Sequence, residues 1–233
     1  MKTKARILHA KAEKARELEQ DFPKAISLTE KAIDAYKKEN DLVGAAEAHG
    51  SLVITYKHLF QLTKSKKYKI LTKKASKDAI EVAIESRDKT ALALPYFSAG
   101  DYYDTVEGNC VEAAKYYQIA IKHMQNNPPK THNRPAVLMN IKAHLHACEY
   151  KNGDKKAIGK LVKVAQDIID SNESKYEKDV WSSGAFMKAA LLLNNENPAD
   201  ANKYMQKAKH IIDTNKDLVL RKKQWKRLNK SLK

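Results

Sequence analysis

The sequence predicts an all-α fold built from antiparallel helix pairs, and three observations carry that prediction. Glycine and proline are scarce, at 7 and 6 residues of 233, while Ala, Lys, Leu and Glu are plentiful, a composition that favours helix throughout. The few stretches rich in Val and Ile do not alternate cleanly enough to read as strands. A small–large–small signature at helical spacing also recurs five times in order along the chain. Its clearest copy lies in VEAAKYYQIAIKHM, residues 111–124, where Ala113, Tyr117 and Ala120 share one helix face. Two alanines let a second helix approach closely, and the ring between them fills the groove. Just upstream, Tyr96, Gly100 and Tyr103 repeat the spacing on the preceding helix.

The elements follow in order. A polar first helix over 3–20 carries a thin stripe of Ile7, Leu8, Ala12, Ala15 and Leu18. Asp21-Phe22-Pro23 ends it, and proline suits the start of the second helix, 23–38. Asn40-Asp41 punctuates before a third helix over about 42–62. A Lys-rich fourth helix spans about 65–86. The fifth and sixth cover roughly 89–106 and 110–125. Asn126-Asn127-Pro128-Pro129 opens the most obvious loop, running to Asn133. The seventh helix runs from Pro135 to Lys151 and closes on Asn152-Gly153. Asp154 is the expected N-cap of the eighth, which reaches Asp170. Ser174 starts the ninth, with Trp181 and Phe186, and Pro198 opens the tenth. A basic amphipathic helix over 217–232 ends the chain on the stripe Leu218, Trp225, Leu228 and Leu232.

The second helix of each pair carries the signature: Ala25/Thr29/Ala32, Ser76/Ile80/Ala83, Ala113/Tyr117/Ala120, Ala157/Leu161/Val164 and Ala201/Met205/Ala208. This pattern resembles the tetratricopeptide repeat (TPR), whose first helix bears an aromatic–Leu–Gly–Tyr series and whose second bears Ala, an aromatic and Ala. In the second unit His49, Leu52, Val53 and Tyr56 stand at the first-helix positions, and in the third Tyr96, Ala99, Gly100 and Tyr103. The likeness covers roughly residues 20–213. The signatures are spaced wider than the family's usual ~34 residues, and the proline closing each repeat is mostly missing, which leaves room for solenoids of the armadillo or HEAT kind. The resemblance implies one domain over 1–233: a right-handed superhelix of about five helix pairs, with residues 216–233 as a basic capping helix.

The resemblance further implies a protein-binding scaffold or adaptor that holds a peptide or partner helix on a concave surface lined by the first helices. Carried over by position, the lining is Glu47, Ser51, Ile54 and Lys57, then Phe97, Ser98, Asp101 and Asp104, then Lys142, His146, Glu149 and Tyr150. The family's carboxylate clamp has no counterpart, because Glu47, Ser51, Leu94 and Ser98 occupy its places.

The formal charge is +16, which raises the prospect of an acidic partner such as nucleic acid or an anionic surface. The cations are mostly lysine, and arginine, the usual residue for bidentate phosphate recognition, is scarce. Two stretches concentrate the charge. One helix carries Lys64, Lys66, Lys67, Lys69, Lys73, Lys74 and Lys77, and the terminal helix carries Arg221, Lys222, Lys223, Lys226, Arg227 and Lys230. RNA binding through these two helices is the alternative function, with Lys66, Lys69, Lys73, Lys77, Arg221, Lys223 and Arg227 as its contacts. The plainer readings are a solvated helix face and a cap whose charges face water.

Cys110 and Cys148 make no disulfide framework or metal spacing and fit a reducing, cytoplasmic compartment. No apolar run approaches a membrane span, and no signal-peptide core stands at the N-terminus. His144 and Cys148 lie four apart on one helix face, but a metal site needs two more ligands, with His132 the one evident candidate. No nucleophile–base pair, glycine-rich phosphate loop or paired-carboxylate motif stands out. The expectation is a protein without cofactor, metal or enzymatic activity.

Overall fold

The computed structural model describes residues 3–130 and 132–232. Among them all regular structure is helical: α1 (Lys4–Lys14), α2 (Phe22–Lys38), α3 (Leu42–Thr63), α4 (Lys66–Glu85), α5 (Ala93–Tyr102), α6 (Cys110–Asn126), α7 (Pro135–Lys151), α8 (Ala157–Ile169), α9 (Lys175–Leu193), α10 (Pro198–Asp213) and α11 (Val219–Ser231). Side-chain caps set most of the starts. Asp21, Asp41, Asn109, Ser174 and Asn197 each accept a hydrogen bond from a backbone N–H of the first turn, satisfying donors that the helix itself leaves unpaired. Pro23, Pro135 and Pro198 sit in first turns, where a missing N–H costs nothing.

Three expected helices differ at a boundary. The eighth helix starts at Ala157, because Asp154 turns its carboxylate to the N–H of Lys156 and holds a short turn instead of capping a helix. The first and fifth helices do not run on as regular α-helix. Each widens into a π-turn, Ala15–Glu19 and Tyr103–Glu107, and stops at a left-handed residue, Gln20 or Gly108. Gly108 takes φ 73° without steric cost.

The chain divides into two compact units, Met1–Asn133 and Arg134–Lys233. In the first, α1 packs on α2, α3 on α4 and α5 on α6, while α2 meets α3, α4 meets α5, and α3 lies against both α1 and α5. Its main core gathers Ala32, Ile33 and Tyr36 of α2, Ala45, Leu52, Val53 and Tyr56 of α3, and Ala75, Val82 and Ala83 of α4. In the second unit, α7 pairs with α8 and α9 with α10, and α11 lies on α9 and α10. Leu161, Val164 and Ile168 meet Phe186, Met187, Met205 and Ile212 in its core. Consecutive helices therefore pack against one another in both units, an arrangement compatible with a helical repeat.

The five signatures occupy buried faces. Every one of their fifteen residues is buried except Ile80, which is half-buried. At the clearest copy Tyr117 is fully enclosed, and its ring lies directly on Gly100, where an added Cβ would stand 2.4 Å from Cε1. Tyr36 lies on Gly44 in the same way, also at 2.4 Å. Both glycines are places where a helix backbone meets a ring face.

The terminal helix packs on α9 and α10. Leu218 is buried, and Trp225, Leu228 and Leu232 pack against the same core. The Trp225 indole N–H donates to the Met205 carbonyl oxygen at 3.1 Å. No helix among the described residues is long and apolar enough to cross a membrane.

Candidate functional site

In the first unit α1, α3 and α5 each place polar side chains where they meet one another. His9 sits one turn before Glu13 and two before Arg16 on α1 and its π-turn, so all three lie close to one face. His9 Nε2 and Ser51 Oγ share a 2.7 Å hydrogen bond, and Arg16 Nη1 approaches the Ser51 carbonyl at 3.5 Å. Arg16 is itself buried and donates from Nε to Glu17 at 2.7 Å. Between α3 and α5, the Lys57 ammonium pairs with buried Asp101, whose other oxygen accepts the Tyr117 hydroxyl at 3.1 Å. His132, in the loop after α6, brings Nδ1 to 3.9 Å from Glu47 Oε1 of α3.

These surroundings perturb several protonation equilibria. Burial lowers His9 from its ordinary value to about 4, with Arg16 and then Arg6 adding to the effect. Burial likewise pushes the Tyr36 hydroxyl up to about 12. Desolvation raises Glu13, reinforced by Glu17 and opposed by Arg16 and His132, although its side chain is exposed to solvent.

Of the expected lining residues, Ser51, Lys57, Phe97, Ser98 and Asp101 all lie in this unit. Lys57 and Phe97 are half-buried, and Ser51, Ser98 and Asp101 are buried. Ser98 is enclosed because α5 approaches α3 at Gly50, where an added Cβ would meet the Ser98 hydroxyl at 3.2 Å. Lys142, His146 and Tyr150 stand on α7 in the second unit. Lys142 is half-buried, His146 hydrogen-bonds Glu149 at 2.7 Å, and Tyr150 donates to Glu196 at 2.7 Å beneath the Lys155 ammonium. His9, Glu13 and Arg16 went unmarked in the sequence. Their spacing by four and three residues on an otherwise unremarkable polar helix is the signal that could have found them.

The basic surfaces divide. Lys66, Lys73 and Lys77 are exposed on α4, and Lys69 pairs with Glu107 at 2.7 Å. On α11, Lys223 and Arg227 are exposed, whereas Arg221 turns inward, donating to Gln224 and lying against Gly184. Cys110 and Cys148 form no disulfide, and the Cys110 thiol donates to Asp104 Oδ1 at 3.5 Å. Neither His132 nor His144 joins a metal-sized group of ligand atoms among the described residues.

No protein-family model matches the chain, and no curated protein matches it significantly.

Proposed function

We propose that the protein is a non-enzymatic binding scaffold, a TPR-like helical repeat that holds a peptide or partner helix on the face made by its first helices. The observation that supports this reading most is the polar face of α1, α3 and α5. Three first helices contribute side chains that bridge from one helix to the next, His9 to Ser51 and Lys57 to Asp101, so the donors and acceptors of the face are fixed before a ligand arrives. Pre-organisation of this kind lowers the entropic cost of docking. Half-buried Ile54 and Phe97 add apolar contact between the polar groups. Cysteines without a disulfide suit the cytoplasm.

Affinity purification from nuclease-treated lysate, followed by hydrogen exchange with the recovered polypeptide, tests this. The expected result is a defined partner that slows exchange in α1, α3 and α5; protection confined to α4 or α11 counts against it. RNA binding through α4 and α11 is the second reading, supported by exposed Lys66, Lys73 and Lys77. It predicts an affinity that falls steeply with salt, because neutralising phosphates releases counterions.

A further inference from the structure

We propose that the corner joining α3 to α4, residues 62–77, docks the protein on an anionic lipid surface. Lysine ammonium groups meet the headgroups, and the side chains of Leu62 and Ile70 enter the lipid between them. This surface uses none of the side chains that join α1, α3 and α5, so it goes beyond the scaffold reading and does not depend on it.

The charge comes first. Residues 62–77 hold seven lysines and no Asp or Glu. At 3.6 residues per turn, the exposed positions of α4 all fall within one arc of about 120°. On that arc Lys66, Lys67, Lys73, Lys74 and Lys77 surround Ile70, and the carboxylates Glu81 and Glu85 come only towards the C-terminal end. None of these five lysines forms an ion pair with a described residue. The carboxylate that the π-turn after α5 brings to α4, Glu107, is taken by Lys69 at 2.7 Å and by the Tyr102 hydroxyl. Five ammonium groups on one arc thus face outward without a counter-charge of their own, which is the electrostatic complement of an anionic surface.

A second observation selects lipid among anionic surfaces. Leu62, in the last turn of α3, is 49% exposed, and Ile70, in the second turn of α4, is 57% exposed. Only Lys64 and Ser65 separate the two helices, so both aliphatic side chains stand at the same end of the α3–α4 pair, among the ammonium groups. A bilayer interface rewards this combination, because it buries the apolar groups while it pairs the cations. Nucleic acid rewards guanidinium forks and free ring faces instead. No arginine stands on α4, and its one aromatic, Tyr68, is half-buried and stacked on Tyr56 with ring centres 6.4 Å apart. The formal charge of +16 draws the chain towards any polyanion; Leu62 and Ile70 give it a use for lipid that phosphates alone do not supply.

The test uses the full chain, sedimented with vesicles of phosphatidylcholine alone or of equal parts phosphatidylcholine and phosphatidylserine. Anisotropy of a fluorescein-labelled polyuridine strand measures RNA binding in parallel. We expect the protein to sediment with the mixed vesicles and not with the neutral ones. Leu62→Ser with Ile70→Ser, both at exposed positions, should weaken vesicle binding about tenfold and leave polyuridine binding unchanged. Lys66→Gln with Lys73→Gln and Lys77→Gln should weaken vesicle binding by about tenfold or more. Leu191→Ser on α9 removes an aliphatic side chain that is 52% exposed elsewhere and should keep the parent affinity. The proposal is overturned by equal sedimentation with both vesicles, by none with the mixed ones, or by a serine pair that binds them as the parent does. A loss on Leu191→Ser as large as that of the pair overturns it too. Polyuridine binding that the lysine variant abolishes, without vesicle binding by the parent, assigns α4 to nucleic acid and sinks the lipid reading.

Discussion

Replacing Gly100 by alanine tests whether the small–large–small signature sets the packing. The new methyl carbon would lie 2.4 Å from Cε1, 2.5 Å from Cδ1 and 3.0 Å from Cζ of Tyr117. Ordinary carbon contacts need about 3.5–4 Å, so the ring must retreat by about 1 Å. It has little room, because Tyr117 is fully buried between Ala113 and Ala120, and Phe97 stands 5.8 Å away, ring centre to ring centre. Overpacking of this kind costs about 1–3 kcal/mol. Moving the ring also strains the bond from its hydroxyl to Asp101, and hydrogen bonds to charged groups contribute about 1.5–3 kcal/mol. Against these stands the gain from removing a glycine within a helix, roughly 0.5–1 kcal/mol. The balance is a loss of about 1–3 kcal/mol. Gly159→Ala in α8 is the control, since nothing lies within 4 Å of its added Cβ; it should stabilise by about 0.5–1 kcal/mol. Thermal and urea melts followed by circular dichroism at the helix band read both variants. A Gly100→Ala protein that melts at or above the parent temperature would refute the assigned register of α5 on α6.

Three further outcomes follow from particular contacts. Trp225→Ala should destabilise the second unit by about 2–3 kcal/mol, below the 3–5 of a fully enclosed aromatic, while Lys223→Ala with Arg227→Ala leaves its melt unchanged; equal melts for all three would remove the capping role of α11. Lys57→Met leaves the buried Asp101 carboxylate without its ammonium and should cost about 3 kcal/mol, with Asp101→Asn in the same chain recovering part of it; a neutral Lys57→Met in urea denaturation would show that the pair is solvated. His9 binds a proton more weakly folded than unfolded, so the unfolded chain takes up more protons as pH falls. Stability is therefore full above about pH 6.5 and is lost as pH falls from there towards 4; His9→Gln should flatten that slope, and a parent melt independent of pH between 6.5 and 5 would contradict the burial of His9.

The fold was legible because the signals that specify it are local. Ala113, Tyr117 and Ala120 lie within two helical turns, and the Asp, Asn and Ser caps sit next to the helices they start. What the sequence hid depends on contacts between distant segments or on a choice between local bonds. Asp154 has the chemistry of an N-cap, yet its carboxylate serves a turn. Ser51 and Ser98 hold the positions of lining residues, but the close approach of α3 and α5 at Gly50 encloses them. His9 meets Ser51 across 42 residues, and Lys57 meets Asp101 across 44. Nothing in the spacing of either pair along the chain announces the meeting.

The two tyrosines that fill glycine contacts also explain how packing reaches the polar face. The ring of Tyr36 rests on Gly44, and its hydroxyl comes within 3.4 Å of His9 Nδ1; the opposite nitrogen of that imidazole bonds Ser51. The ring of Tyr117 rests on Gly100, and its hydroxyl bonds Asp101, which in turn holds Lys57. In both cases a core aromatic packs with its ring and orients a titratable group with its oxygen. The apolar half of each tyrosine is fixed to within a few tenths of an ångström by the glycine beneath it, because interiors this dense leave no slack. The polar half then inherits that precision, and with it the imidazole and the carboxylate. Substitutions at Gly44 or Gly100 should consequently disturb the α1–α3–α5 face as well as the core, whereas Tyr117→Phe should keep the packing and remove the tyrosine hydroxyl from Asp101.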